Sequence, residues 1–269
     1  MKLIKSGINF ARYEMGDQTI VALRDGYVDM PPSRLRQEGN RPFGADLPQQ
    51  VPLFDGQLRL SVNAFLLIEQ GRHILIDTGA GDAWFPTMGL LHDALAEADI
   101  ARDQIRTVAF THAHNDHVNG LVMPDGAEAF PNLETLFVPK EEISLFDRSE
   151  RLKRFRPRCT TFGDGFSPCD RITAIEAHGH SPGHTAFEVT GDGSKLLIWG
   201  DIVHVPTIQF ERPELTWEFD RDQPQARTSR ERILKRAAQP DTFIAGAHLD
   251  FPGVGRVSET EEAYRFSAI

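Results

Sequence analysis

Cysteine is scarce in this chain. Cys159 and Cys169 are the only two, they lack a CxxC spacing, and they sit in a Pro- and Gly-rich stretch, which excludes a disulfide framework and a zinc knuckle. They read as reduced, structural thiols. Long apolar runs are missing as well: the best ones, Ala64 to Ile68 and Leu196 to Trp199, are strand-length, far short of the roughly 18 residues of a membrane-spanning helix. At the N-terminus, MKLIKSGINFARYEMGD is broken by charged and polar residues before a signal-peptide core can form. No membrane partner is expected, and the cytoplasm is the expected compartment. Positive charge is short too, 29 Lys and Arg against 39 Asp and Glu for a net charge of -10, so the molecular field repels a polyanion and nucleic acid is not an expected partner. What is present is a 269-residue chain with 40% hydrophobic residues, enough to bury a sizeable core.

Strands and helices interleave without a repeat or a linker. A short strand pair is expected around Thr19 to Leu23, then an irregular stretch from Met30 to Pro52 of the kind that walls a pocket. Val62 to Ile68 and His73 to Asp77 flank a turn and read as a hairpin. Leu90, Leu91, Ala94, Leu95 and Ala98 fall at helical spacing, and Arg106 to Phe110 returns as a strand. Further strands are expected at Leu136 to Val138, Ile172 to Ala177, Ala186 to Val189, Lys195 to Trp199 and Thr242 to Ala245, with helices near Glu141 to Arg154 and Ala226 to Ala238. Hairpin-like neighbours in both halves disfavour a doubly wound parallel sheet. The expectation is a single domain spanning residues 1–269, of the α/β or α+β class.

The chemistry concentrates after the strand at Arg106 to Phe110. Thr111-His112-Ala113-His114-Asn115-Asp116-His117 puts four metal-competent side chains within six residues. Imidazole nitrogens and carboxylate oxygens suit a cation such as Zn(II), and a rigid strand fixes where the ligand loop begins. One ion cannot use all four, so two are implied, and about three more donors are needed. His184, Asp201 and His248 each follow a predicted strand and are the candidates; such strand ends emerge at one edge of the core. His178 and His180 read as loop supports that orient the ligands, Asp77 as an acceptor anchoring its loop, and His73 and His92 as ordinary core or surface residues. The basic stretch Arg148 to Arg158 reads as a solvated face. Trp84, Phe85 and Met88 are candidates for the wall of a substrate pocket.

The pattern HxHxDH at His112, His114, Asp116 and His117, then Pro-Gly-His184-Thr, Gly-Asp201 and His248, preceded by Asp77-Thr78-Gly79 and followed by Phe251-Pro252-Gly253-Val254-Gly255, resembles the metallo-β-lactamase fold superfamily. Within it the layout is most similar to the branch of methyl parathion hydrolases and acyl-homoserine lactone lactonases. The resemblance implies an α+β fold, an αββα sandwich with the metals at one edge. It also implies that His112, His114 and His184 hold one zinc, Asp116, His117 and His248 a second, and that Asp201 bridges both.

Departures narrow the activity. Neither cysteine sits in a ligand motif, unlike the zinc β-lactamases with cysteine in the second site. His114 stands where flavodiiron relatives carry glutamate. The tail Ser258-Glu259-Thr260-Glu261-Glu262-Ala263 is acidic where glyoxalase II relatives are basic. His204 stands where many lactonases have a tyrosine, and an imidazole can donate the same hydrogen bond. The expected activity is a dinuclear hydrolase in which a bridging hydroxide, acidified by two divalent cations, opens a lactone or ester, with Asp116 or Asp201 moving the proton and His204 serving the oxyanion. The alternatives are a phosphotriesterase and a metal-binding protein without turnover. The expected partner is a small-molecule ester, lactone or phosphotriester; a homodimer is allowed.

Overall fold

A computed structural model describes residues 1–261 and 263–269; the acidic-tail reading includes Glu262, which lies outside the described residues. Two mixed sheets face each other. The first has eight strands in the order Lys2–Ser6, Phe10–Met15, Gln18–Met30, Leu58–Glu69, Arg72–Ile76, Thr107–Ala109, Thr135–Pro139 and Cys159–Phe162. The second has six, Ile172–Glu176, Thr185–Gly191, Ser194–Ile198, Thr242–Ala245, Val254–Glu259 and Tyr264–Ala268. No helix among the described residues is long and apolar enough to cross a membrane.

Strand alternation builds the layers, because successive side chains leave a strand on opposite faces. Ile20, Ala22, Phe65, Leu67, Ile74 and Ile76 pack inward with Phe187, Val189, Leu196, Ile198, Phe243 and Ala245 of the second sheet. The residues between them, Val21, Leu23, Ala64, Leu66 and Leu75, face the other way and join Leu91, Ala94 and Leu95 of the helix Leu91–Glu97. On the far side of the second sheet, Leu197, Trp199 and Ile244 meet Ile233, Leu234 and Ala237 of the helix Gln223–Ala237. The result is an αββα sandwich. Asp222 caps that last helix, its side chain accepting from the Gln225 N–H at 3.0 Å, which satisfies a donor the helix itself leaves free.

Two expectations need correction. The helix expected over Glu141 to Arg154 is only Ser144–Arg148, since Ser149 is extended and a 3₁₀ turn over Lys153–Arg158 encloses Pro157. The arginines there are drawn into local partners: Arg151 to Asp82 and the Val122 carbonyl, Arg156 to Asp147, Arg158 to both oxygens of Glu128. The stretch Met30 to Pro52 is likewise not wholly irregular. It contributes Leu35–Gln37 and Arg41–Pro42 to a small sheet with Thr216–Trp217, and Trp217 of this sheet lines the cavity of the site.

Candidate metal centre

The strand Thr107–Ala109 delivers the loop that begins at Thr111, and a short helix, Asn115–Val118, turns Asp116 and His117 inward. Asp77 fixes this loop. Held at a left-handed φ of 60°, it accepts from the Thr111 N–H at 2.8 Å, the Thr111 hydroxyl at 2.8 Å and His117 Nδ1 at 2.9 Å. Gly120 follows so close to the Thr78 carbonyl that a Cβ there would stand 1.8 Å from its oxygen, so glycine is required for the loop to seat.

Several overlapping groups of donors result, and two of them take in the loop that begins at Thr111. Ligand atoms of His112, His114, His180 and Asp201 all lie within 4.8 Å of one another, and so do those of Asp116, His117 and His248. Asp201 stands between the clusters. Its Oδ2 is 3.1 Å from His180 Nε2, 3.8 Å from His112 Nε2 and 3.0 Å from His248 Nε2, while Oδ1 is 3.1 Å from His117 Nε2. Asp116 Oδ2 is 3.6 Å from both His117 Nε2 and His248 Nε2. Zinc holds imidazole nitrogen at about 2.0–2.1 Å in a tetrahedron, so donors sharing an ion stand about 3.3 Å apart; most of these separations bracket that spacing.

The outer ring nitrogens are occupied in a way that aims the inner ones. His117 Nδ1 meets Asp77, His180 Nδ1 meets Asp220 Oδ1 at 2.8 Å, His248 Nδ1 meets the Ser61 carbonyl at 2.8 Å, and His112 Nδ1 meets the Thr111 hydroxyl at 3.1 Å. Each such bond engages Nδ1 on the outer side, so Nε2 is the nitrogen that faces the centre and would be offered to a cation. Nε2 of His112, Nε2 of His117 and Oδ1 of Asp201 are buried with no hydrogen-bond partner. Buried polar atoms rarely go unsatisfied, and atoms that approach each other without hydrogen-bond alignment are arranged as ligands to a common cation. The donor set therefore fits divalent metal.

His184 is placed otherwise than the sequence pattern implied. Its Nδ1 donates to the Ala177 carbonyl at 2.9 Å and its Nε2 accepts the Asp201 backbone N–H at 2.9 Å, so neither nitrogen is left for an ion. His184 ends the loop at the start of the strand Thr185–Gly191, and its ring props the backbone that carries Asp201. His180, expected to be a loop support, holds the position in the cluster instead.

Charge follows the same geometry. Burial and the neighbouring imidazoles hold His114 down to about 3 and His112 well below the usual range. Burial also opposes protonation of His180 and His117, but Asp201 and the other facing carboxylates prevail, raising His180 to about 9 and His117 well above its ordinary value. Burial penalises the Asp201 carboxylate, yet His248, His117 and His112 outweigh it and hold that group well below the carboxylate range. The centre is organised to concentrate positive charge around one buried aspartate.

A cavity of about 290 Å³ opens onto this centre. Its floor is His114, Asp116, His180, Asp201, His204 and His248; its walls are Val28, Met30, Leu60, Trp84, Trp217 and Phe219. Of the three expected wall residues only Trp84 lines it. Phe85 is exposed beside Trp84, ring centroids 5.3 Å apart, and Met88 is buried in the cluster below, because the Thr87 hydroxyl is tied to the Tyr27 carbonyl at 2.6 Å and pulls this segment onto the sheet. His204 is buried under the cavity, stacked on Trp217 at 5.1 Å and 12°, with neither ring nitrogen hydrogen-bonded. Trp217, Phe219 and Asp220 escaped sequence reasoning because a two-residue strand and a tight turn leave no periodic signal.

This sandwich, with its histidine and aspartate cluster at one edge, defines a metal-dependent hydrolase fold, and the family model of the metallo-beta-lactamase superfamily matches residues 58–248; the chain belongs to that superfamily. Among solved structures it is similar to AbOPH, a hydrolase in the beta-lactamase superfamily, at 29% identity over 98% of this chain and 99% of that one, TM-score 0.84. It is also similar in fold to AidC, a dizinc quorum-quenching lactonase in complex with a product N-hexanoyl-L-homoserine, at 23% identity over 97% of each chain, TM-score 0.87. An N-acyl homoserine lactone hydrolase with its product bound at the catalytic metal centre shares the fold at 18% identity over 87% and 94% of the chains, TM-score 0.64. No curated protein matches by sequence.

Proposed function

We propose that the protein is a dinuclear, zinc-type hydrolase of lactones or uncharged esters, with residues 1–269 forming one catalytic unit. The observation that carries this reading is Asp201, a buried carboxylate in reach of both donor clusters, its Oδ2 3.1 Å from His180 Nε2 and 3.0 Å from His248 Nε2 and its Oδ1 3.1 Å from His117 Nε2, in the floor of an apolar cavity. His112, His114 and His180 would hold one cation, Asp116, His117 and His248 the other, with Asp201 shared. Two divalent cations there would supply Lewis acidity toward a substrate oxygen and a water acidified to near neutral pH.

The chain's own residues do the rest. Asp116 lines the cavity and is placed to accept a proton, with Asp201 behind it. His204 is pushed down to about 4 by burial, against the pull of Asp201, so at neutral pH it is an uncharged ring with one N–H to offer a developing oxyanion. Trp84, Trp217 and Phe219 surround an acyl or aryl group and exclude water. Val28 and Met30, which precede the family-matched region, complete the wall, which supports treating the N-terminal strands as part of the enzyme.

Among the described residues no lysine or arginine lines the cavity, so beyond the cations themselves no guanidinium or ammonium is placed to clamp a further anionic group of a substrate. That disfavours phosphate monoesters and carboxylate-bearing substrates, and admits neutral lactones, esters and, as a second reading, neutral phosphotriesters. The volume is at the small end of ligand pockets, about 300–1,000 Å³, favouring a compact reacting group. AidC and the other lactonase neighbour point to the first reading. The test is metal content together with kcat/KM on an acyl-homoserine lactone, an aryl ester and a neutral phosphotriester. About two equivalents of metal and turnover led by the lactone or ester are expected; a folded, fully metallated protein inert on all three overturns the reading, and a dominant triester rate reverses the order.

A further inference from the structure

We infer that Asp220, braced by Arg230, is the positioning residue that makes His180 a metal donor, an inference that rests on the dinuclear reading above. His180 sits on a loop rather than at the end of a strand, and what holds its ring comes from a turn about forty residues further on. Asp220 is buried and both its oxygens are engaged: Oδ1 accepts from His180 Nδ1 at 2.8 Å, and Oδ2 accepts from the Trp217 N–H at 2.8 Å and from Arg230 Nη2 at 3.5 Å. The backbone reinforces the pairing, the Arg221 N–H donating to the His180 carbonyl at 3.1 Å and the Asp222 N–H to the Gly179 carbonyl at 2.9 Å.

Arg230, fully buried in the helix Gln223–Ala237, explains why the turn stays in place. Besides Asp220 it donates to the carbonyls of Ile202 at 2.6 Å, Leu215 at 2.5 Å and Pro213 at 3.1 Å. Ile202 is the residue after Asp201, so one guanidinium ties the shared carboxylate's segment, the turn and the helix together. Trp217 of the same turn stacks on His204. A carboxylate is needed at position 220 because acceptors are required on both sides; an amide satisfies one side and presents N–H groups to the other. With its amide oxygen kept toward Trp217 and Arg230, an asparagine would press its NH₂ on His180 Nδ1, favour the other tautomer and place a proton on the Nε2 that faces Asp201.

The test uses Asp220→Asn, with Asp220→Ser as a second variant that is too short to reach His180 yet leaves an oxygen near the Trp217 N–H. Apo proteins of confirmed fold are titrated with zinc alone against a chromophoric chelator, and the cobalt-loaded forms are compared by absorption. Loss of a partner to a ligating histidine typically costs 10–100-fold in affinity. One equivalent should weaken by that factor, the other stay within about threefold, and the cobalt bands of one site alone should shift. Two equivalents bound as in the wild type overturn the positioning role, and so does equal weakening of both, which is what a merely structural residue would give. Wild-type protein that binds no zinc overturns the dinuclear reading itself.

Discussion

Replacing His180 and His184 by alanine one at a time separates a ligand from a structural prop. In His184→Ala the Ala177 carbonyl and the Asp201 N–H both lose their partner, and each buried group left unsatisfied costs about 1–3 kcal/mol. The expected loss of stability is thus about 2–6 kcal/mol before any cavity is counted, a large part of the roughly 5–15 kcal/mol that holds a domain folded. In His180→Ala the Asp220 carboxylate keeps the Trp217 N–H and Arg230, so the expected loss is only about 1–3 kcal/mol. Metal responds in the opposite order. His180→Ala should weaken one zinc equivalent by more than about 100-fold, beyond what loss of an outer hydrogen-bond partner causes, whereas His184→Ala should stay within about tenfold because it disturbs the centre only through the Asp201 backbone. Urea unfolding of the apo proteins and chelator competition measure the two effects. A His184→Ala protein of unchanged stability that has lost a zinc equivalent, beside a His180→Ala protein that keeps both, refutes the assignment.

His204→Phe keeps a ring to stack on Trp217 but removes the N–H; about 10²–10³ in kcat should be lost with metal content and KM little changed, and an undiminished kcat would remove His204 from the chemistry. Gly200→Ala should cost about 2–4 kcal/mol, since the residue has φ +55° and a Cβ would stand 2.7 Å from His184 Nε2 and 2.9 Å from the Thr111 hydroxyl; an unfolding midpoint equal to the wild type's would contradict that packing. Asp25, at a bulge in the strand Gln18–Met30, accepts from the Ala80 and Leu91 N–H groups, and burial raises it from 3.8 to about 6 despite those bonds. The native state therefore holds this proton more tightly than the unfolded chain, so its contribution is present below about pH 4 and is lost as pH rises to about 6, roughly 3 kcal/mol in all. Asp25→Asn should lack this step, which the difference between wild-type and variant urea midpoints from pH 4 to 7 will show; parallel curves would disprove it.

The hairpin from Leu58–Glu69 into Arg72–Ile76 was legible in sequence because apolar runs flank a turn, and Thr242–Ala245 because it is a short buried run between polar stretches. Lys2–Ser6, wholly exposed, carries no such pattern, and neither does Cys159–Phe162. In the site, His112, His114, Asp116 and His117 stood out as four donors in six residues. The choice between His180 and His184 did not, since both lie in His180-Ser181-Pro182-Gly183-His184 and sequence spacing does not say which ring is already committed to backbone partners. Trp84 lines the cavity, while Met88, four residues on, lies in the core beside Thr87, whose hydroxyl is bonded to the Tyr27 carbonyl of another strand.

By itself, then, the order of residues determined the layers, through the two-residue period of its strands and the amphipathic helices that cover them, and it determined that metal-binding chemistry clusters after one strand. The tertiary structure alone decided which histidine keeps a nitrogen for the centre and which aromatics enclose the cavity. The physical reason is that a ligand is defined by what its other atoms are doing. Asp220 and Arg230 act on His180 from parts of the chain far away in sequence, and only folding brings their hydrogen bonds to bear on it.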